Sequence, residues 1–295
     1  MTIRKTIART VRKLTGRPAG ERTLAQADLR ALALAANRYF YLGADLALVR
    51  LNCGQMLYVD PLDEHISANI IVHGFWEASV HRVVMSLLKP GARVVEVGAN
   101  LGYYTVTMAS AVGPGGHITA LEANPRLSGL IRRSLTLNGF APRATVVPRA
   151  ALDQPGEIDF VVSRRNSGGG YVTMWEDNPY EDGQTIKVEA VRIDDLGLGR
   201  VDLLRIDAEG SEPFILRGAE AVLRANPDIV ICMEWSVIQM ESRTSVKDLL
   251  AWLNALGFRF WRIENDASLT SIASADLEGA PHCDIVASRR PPRRA

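Results

Sequence analysis

Residues 94–105 read Val-Val-Glu-Val-Gly-Ala-Asn-Leu-Gly-Tyr-Tyr-Thr, and no other stretch restricts the fold as tightly. A β-branched run that ends in an acid and passes through two glycines into an apolar segment predicts strand, tight loop and helix. Gly98 and Gly102 lack a Cβ, so the chain can turn sharply there and lie against a ligand while the following helix offers its free N–H groups. Small Ala99 keeps the approach open, and Asn100 can hold the turn through its own backbone. The third glycine of a dinucleotide fingerprint is missing, because Tyr103 stands in its place, and no Gly-Lys-Ser/Thr closes a P-loop. The loop alone is also compatible with a plain tight turn.

A second acid sharpens the reading. Residues 116–122 predict a strand ending in Glu122, 24 positions after Gly98. In a βαβ unit an acid at about that distance, roughly 20 residues, sits beside a ribose and accepts from its hydroxyls. Asn124-Pro125 then predicts a helix start. Further on, strands are expected at 145–149, 157–162, 185–193, 201–206, 229–233, 258–263 and 284–287, with helices at 78–88, 125–137, from Ser211 to Asn226, and 247–256. The strand 201–206 is apolar apart from Asp202 and Arg205. It delivers Asp207 and Glu209 to its carboxyl end, where Glu234 also arrives from the next strand. The stretch 65–77, with His73, Trp76 and Glu77, reads as a loop-like bridge in which an exposed His73 and the acid Glu77 could face chemistry. The long polar loop 163–184 reads as a lid, a substrate loop or a disordered connection, and Asn178-Pro179-Tyr180 within it reads as a turn.

The segment Glu96–Thr105, with residues 121–125 (Leu-Glu-Ala-Asn-Pro) and 201–212 (Val-Asp-Leu-Leu-Arg-Ile-Asp-Ala-Glu-Gly-Ser-Glu), resembles the FkbM family of S-adenosylmethionine-dependent methyltransferases. The likeness runs from about Tyr58 to Ser236. Its most specific part is residues 207–212 with 216–219, Leu-Arg-Gly-Ala. Arg205 stands where a lysine is common in the family, and Glu-Ala-Asn-Pro where Glu-Pro-Asn-Pro is common. The resemblance implies an α/β, Rossmann-like, seven-stranded class I methyltransferase sheet with helices on both faces. The residue pattern adds to that sheet an N-terminal helical and hairpin appendage (1–76) and an inserted β-hairpin, with the catalytic domain at 77–288 and a basic tail at 289–295.

S-adenosylmethionine is then expected against Glu96, Gly98, Ala99, Asn100, Gly102 and Thr105 of the first motif. Glu122, Ala123, Ala151 and Asp207 complete the expected cofactor set. Asp207, Glu209, Glu234 and His73 are the catalytic candidates, because a hydroxyl acceptor needs a base or a metal to give up its proton. Two of these carboxylates could hold a divalent ion, although no His/Cys spacing argues for a structural metal. The implied acceptor is a hydroxyl on a sugar, glycan or secondary metabolite. N- or C-methylation of a small metabolite, and a non-catalytic cofactor-binding scaffold, are the alternatives.

Thirty-four basic and 33 acidic side chains leave a net charge of +1, which argues against a nucleic-acid partner despite the basic start of the chain. That start carries Arg4, Lys5, Arg9, Arg12, Lys13 and Arg17 beside Ile3, Ile7, Val11 and Leu14, the pattern of an amphipathic helix that could contact a membrane or a partner. A second helix is expected over 21–40, followed by a hairpin at 46–59. Cys53, Cys232 and Cys283 suggest no disulfide framework, and no apolar run is long enough to span a bilayer, so a cytoplasmic location is expected. A homo-oligomer is a further possibility.

Overall fold

The computed structural model describes residues 38–43, 45–172 and 183–292, and all of their elements belong to one compact unit that begins at Tyr39. The basic helix expected at the start of the chain and the 178–180 turn lie outside the described residues. Of the helix expected over 21–40, residues 21–37 also lie outside the described residues, and Tyr39 and Phe40 belong to a strand instead.

Strands β1 (Tyr39–Gly43), β2 (Leu46–Arg50) and β3 (Met56–Val59) form an antiparallel sheet. Ala47, Val49, Leu57 and Val59 alternate inward and are fully buried. Helix α1 (Ile66–His73) occupies the stretch expected to be a loop, and α2 (Ala78–Leu87) follows. The periodicity of α1 is easily overlooked because Ser67 and Ile70 are its only buried residues.

The central unit then runs β4 (Arg93–Val97), α3 (Tyr103–Ala111), β5 (His117–Leu121), α4 (Pro125–Leu137) and β6 (Ala144–Val147). Asn124 caps α4 by accepting from the Arg126 N–H, as the Asn-Pro pair predicted. The small sheet docks on this helix: Ser134 Oγ accepts from the Tyr58 N–H at 3.0 Å and Asn138 Oδ1 from the Met56 N–H at 2.9 Å.

The expected insertion is larger than a hairpin. Strands β7 (Ala150–Ala151), β8 (Gly156–Val162), β9 (Tyr171–Val172) and β10 (Gln184–Val191) make a four-stranded sheet in the order β7-β10-β8-β9. The chain returns to the main sheet through β11 (Leu203–Ile206), α5 (Glu212–Arg217), α6 (Glu220–Ala225) and β12 (Val230–Trp235). It closes with α7 (Val237–Glu241), α8 (Val246–Ala255), β13 (Arg259–Ile263), β14 (Leu269–Ile272), α9 (Ser274–Leu277) and β15 (Cys283–Ser288).

The main sheet has the order β14-β13-β15-β12-β11-β4-β5-β6. Strands β12, β11, β4, β5 and β6 are parallel, while β15 runs antiparallel to both of its neighbours. The mixed α/β sheet is therefore as expected, with eight strands rather than seven. The extra edge strand β14 is a four-residue segment whose two central residues are exposed, too short to announce itself. Successive residues of the inner strands feed two cores. Val94, Leu203, Cys232 and Val286 pack with α2, α3 and α4, whereas Val95, Leu204, Ile231 and Ala287 pack with α5, α6 and α8.

Candidate active site

The carboxyl ends of β4, β5, β11 and β12 open on a cleft of about 380 Å³, within the size range of small-molecule sites. Its floor is the glycine loop. Gly98 has φ 76°, and a Cβ there would lie 1.7 Å from the Asp207 carbonyl oxygen, so only glycine lets β4 turn beside β11. The Gly98 and Ala99 N–H groups both donate to the Leu121 carbonyl at 3.1 Å. Asn100 donates its backbone N–H to Glu122 Oε2 at 2.6 Å, and the Asn124 N–H donates to Oε1 at 2.8 Å. Burial pushes the Glu122 carboxyl up to about 7, against the opposing pull of those two N–H groups. Loop and acid are thus one hydrogen-bonded unit at the ends of adjacent strands.

Of the expected cofactor residues, Gly98, Ala99, Asn100, Glu122, Ala123, Ala151 and Asp207 line the cleft. Three do not. Gly102 starts α3 with φ 86° and backs onto Ile131. Glu96 and Thr105 are fully buried behind the loop, where the Thr105 hydroxyl donates to Glu96 Oε2 at 2.6 Å. The cause is the two-residue period of β4: Val95 and Val97 face one core, so Glu96 points to the opposite face, beneath α3. Burial raises Glu96 to about 7, and its Oε1 has no partner among the described residues.

Asp207, Glu209 and Glu234 line the same cleft, as their strand-end positions predicted. His73 does not. It ends α1, is exposed, and tilts its ring toward Phe75 at 5.8 Å. The residues that reach the cleft from this part of the chain are His65, Ile66, Trp76 and Glu77.

Glu77 joins a set of carboxylates gathered about one buried cation. The Arg205 side chain is 5% exposed, bonds Asp207 Oδ2 at 3.0 Å, stands 3.7 Å from Glu77 Oε2 and lies over the Tyr104 ring at 3.8 Å. Burial opposes its charge, but Asp207, Tyr104, Glu77 and Glu96 hold its proton more firmly than usual. The Tyr104 hydroxyl donates to Glu77 Oε2 at 3.1 Å. Burial, then the Asp207 charge, raises Glu77 to about 7, and the same two causes raise Glu209 to about 7. Glu234 is pushed to about 9 by burial and by the charges of Asp207, Glu209, Glu212 and Asp284, its cross-strand partner. Near neutrality Glu234 therefore carries a proton and can donate, whereas Glu77 and Glu209 are poised to accept one.

The sequence placed Glu77 beside the chemistry but missed Arg205 as a member of the site. The signal for Arg205 was present: a charge in the middle of a buried strand requires a partner. Backbone geometry marks the site independently. Glu77, Asn100, Glu209 and Ala267 are the non-glycine residues with positive φ among those described, and the first three line this cleft.

The far side of the cleft is the loop 163–170 of the inserted sheet, with Ser163 and residues 166–170 along the lining. Among the described residues no group of three or more His, Cys, Asp and Glu side chains is disposed to hold a metal ion. No helix among them is long and apolar enough to cross a membrane.

A sequence model of the methyltransferase FkbM domain matches residues 96–260. The protein-L-isoaspartate O-methyltransferase of Hyperthermus butylicus is 39% identical over 88 residues, 26% of this chain and 36% of that protein. The catechol O-methyltransferase of Mycobacterium tuberculosis is 29% identical over 106 residues, 34% of this chain and 48% of that protein. The chain thus spans between a third and a half of the length of these two curated relatives. The crystal structure of an FkbM methyltransferase from Methylobacillus flagellatus superimposes with a TM-score of 0.43 at 15% identity, covering 68% of this chain and 44% of that one.

Proposed function

Since the chain belongs to the FkbM methyltransferase family, we propose that it transfers a methyl group from S-adenosylmethionine to a hydroxyl of a sugar, glycan or secondary metabolite. The observation that carries this reading is the bond between the glycine loop and Glu122, in the same cleft as a cluster of acids that straddle neutral pH. The residues suit the cofactor. Gly98 leaves the loop bare of side chain, and Glu122, fixed by two backbone N–H groups, offers its remaining lone pairs to sugar hydroxyls.

S-adenosylmethionine supplies an electrophilic methyl carbon, and alignment and proton removal are left to the protein. Arg205 fixes Asp207 at the mouth of β11 and keeps part of the negative charge compensated. Glu77 and Glu209 are the groups able to take the acceptor's proton near neutral pH, while protonated Glu234 can hold an acceptor oxygen by donating to it. The O-methyltransferase names of both curated relatives favour an oxygen over a nitrogen or carbon acceptor, and catechol, named in the second, presents hydroxyls.

Calorimetric titration with S-adenosylhomocysteine tests the reading. Saturable binding is expected for the wild type, weakened at least about tenfold in Glu122→Ala by loss of charge-assisted hydrogen bonds. A wild type that binds neither S-adenosylhomocysteine nor S-adenosylmethionine overturns it. Binding without turnover across a panel of hydroxylated sugars and metabolites favours the scaffold alternative.

A further inference from the structure

Asp63 takes no part in the chemistry above, yet its carboxylate is among the most heavily bonded in the protein. It is 1% exposed and lies in the turn before α1. Two of its bonds are local: the His65 N–H donates to Oδ1 at 3.1 Å and the Ser67 N–H to Oδ2 at 2.8 Å, which organises the start of α1. The other two come from the inserted sheet. The Ser167 hydroxyl donates to Oδ2 at 2.6 Å and the Ser167 N–H to Oδ1 at 3.3 Å.

Ser167 is also tied to the cofactor cradle. Its carbonyl accepts from Asn100 Nδ2 at 2.8 Å, and Asn100 donates its own N–H to Glu122. Asp63, Ser167, Asn100 and Glu122 therefore form one hydrogen-bonded series linking four separate segments across the cleft. The loop also lies close on α1, since a Cβ at Gly168 would meet Ile66 Cδ1 at 2.8 Å. Surface tethering alone would not need a buried carboxylate at this point. The exposed Arg165–Glu64 pair, at 2.6 Å, already ties the same two segments.

We propose that Asp63 and Ser167 are positioning residues for the nucleoside end of the cofactor: together they clamp the 163–170 loop against the glycine loop and so hold one wall of the cofactor's site in its bound position. The inference rests on the reading that the cleft holds S-adenosylmethionine. The carboxylate fixes the loop before the ligand arrives, so the loop's ordering does not weaken binding. Once the ligand is bound, the same bonds slow its escape, which places the effect in the dissociation rate.

Stopped-flow tryptophan fluorescence, to which Trp76 in the cleft lining contributes, would follow S-adenosylhomocysteine binding in wild type, Ser167→Ala, Asp63→Asn and the double variant, with thermal midpoints recorded alongside. Release is expected to accelerate about tenfold in each single variant, the scale of one hydrogen bond to a charged group, with association within about twofold of wild type. The double variant should be no faster than the faster single variant by more than about twofold, because both substitutions open the same link. Ser167→Ala keeps the test valid if Asp63→Asn folds poorly. Release unchanged in Ser167→Ala while the wild type binds overturns the clamp, whatever happens to the midpoint. A wild type that does not bind removes the cofactor reading and the clamp together.

Discussion

Glu234 is held protonated by its surroundings, and that has a measurable sign. Its carboxyl rises from the ordinary range to about 9, so between those values the folded protein binds a proton that the unfolded chain releases. The stability this confers is complete below the ordinary carboxyl range and is lost as pH rises through about 9. Glu234→Gln, which is neutral at every pH, should therefore raise the melting temperature relative to wild type at about pH 9 and not at about pH 5, as circular dichroism would record. Arg205 is the opposite case, a buried charge that its neighbours need. Arg205→Leu should cost about 3–5 kcal/mol in urea unfolding, because it strands the carboxylates of Asp207 and Glu77. Asp207, Glu209, Glu234 and Glu122 were legible in the sequence because acids at the ends of predicted strands have only one place to go. Glu77 was legible only as an acid on a bridge, since its contact with Arg205 follows from a left-handed backbone at φ 43° that no local pattern announces. His73 was read on a loop, whereas it ends α1 and is exposed away from the cleft.

Among the elements, the single helix expected between Ser211 and Asn226 is two. It breaks at Gly218, where a Cβ would lie 2.1 Å from the Leu152 carbonyl oxygen at the root of the inserted sheet. Gly218 also accepts at its carbonyl from the Asp194 N–H at 2.9 Å, so the break is where the insertion plugs into the helical layer. Gly218→Ala should destabilise by about 1–3 kcal/mol through overpacking, measurable by urea titration. The same change at Gly129, which has nothing within 4 Å of its Cβ position, should be neutral or mildly stabilising. The pattern Leu-Arg-Gly-Ala was visible in the sequence, but the contact that requires the glycine is with a carbonyl 66 residues away. The loop 163–170 was opaque for a related reason. Its order comes from Asp63, about a hundred residues upstream, and polarity alone could not distinguish a clamped loop from a free one.

Across the unit that begins at Tyr39, the alternation of Val94 with Val95 and of Leu203 with Leu204 builds two cores on opposite faces of one sheet. Such coupling predicts that ligand binding is felt throughout. S-adenosylhomocysteine at about 100 times its dissociation constant should add about 2.7 kcal/mol and raise the melting temperature by about 5–10 °C, without splitting the transition. The parallel strands followed from the βα alternation in the sequence, whereas their order came only with the structure. The sheet's eighth strand and the docking of β1–β3 on α4 did not follow from it either, since both depend on pairings between distant segments. The position of β15 bears on how the protein is made. It is the last strand of the sheet in the sequence, yet it sits between β12 and β13. On the ribosome, Val230–Trp235 and Arg259–Ile263 emerge as bare, apolar edges that cannot be joined until residues 283–288 have been synthesised. A premature stop just upstream of Cys283 leaves the sheet split in two, the kind of product that chaperones retain and proteases clear.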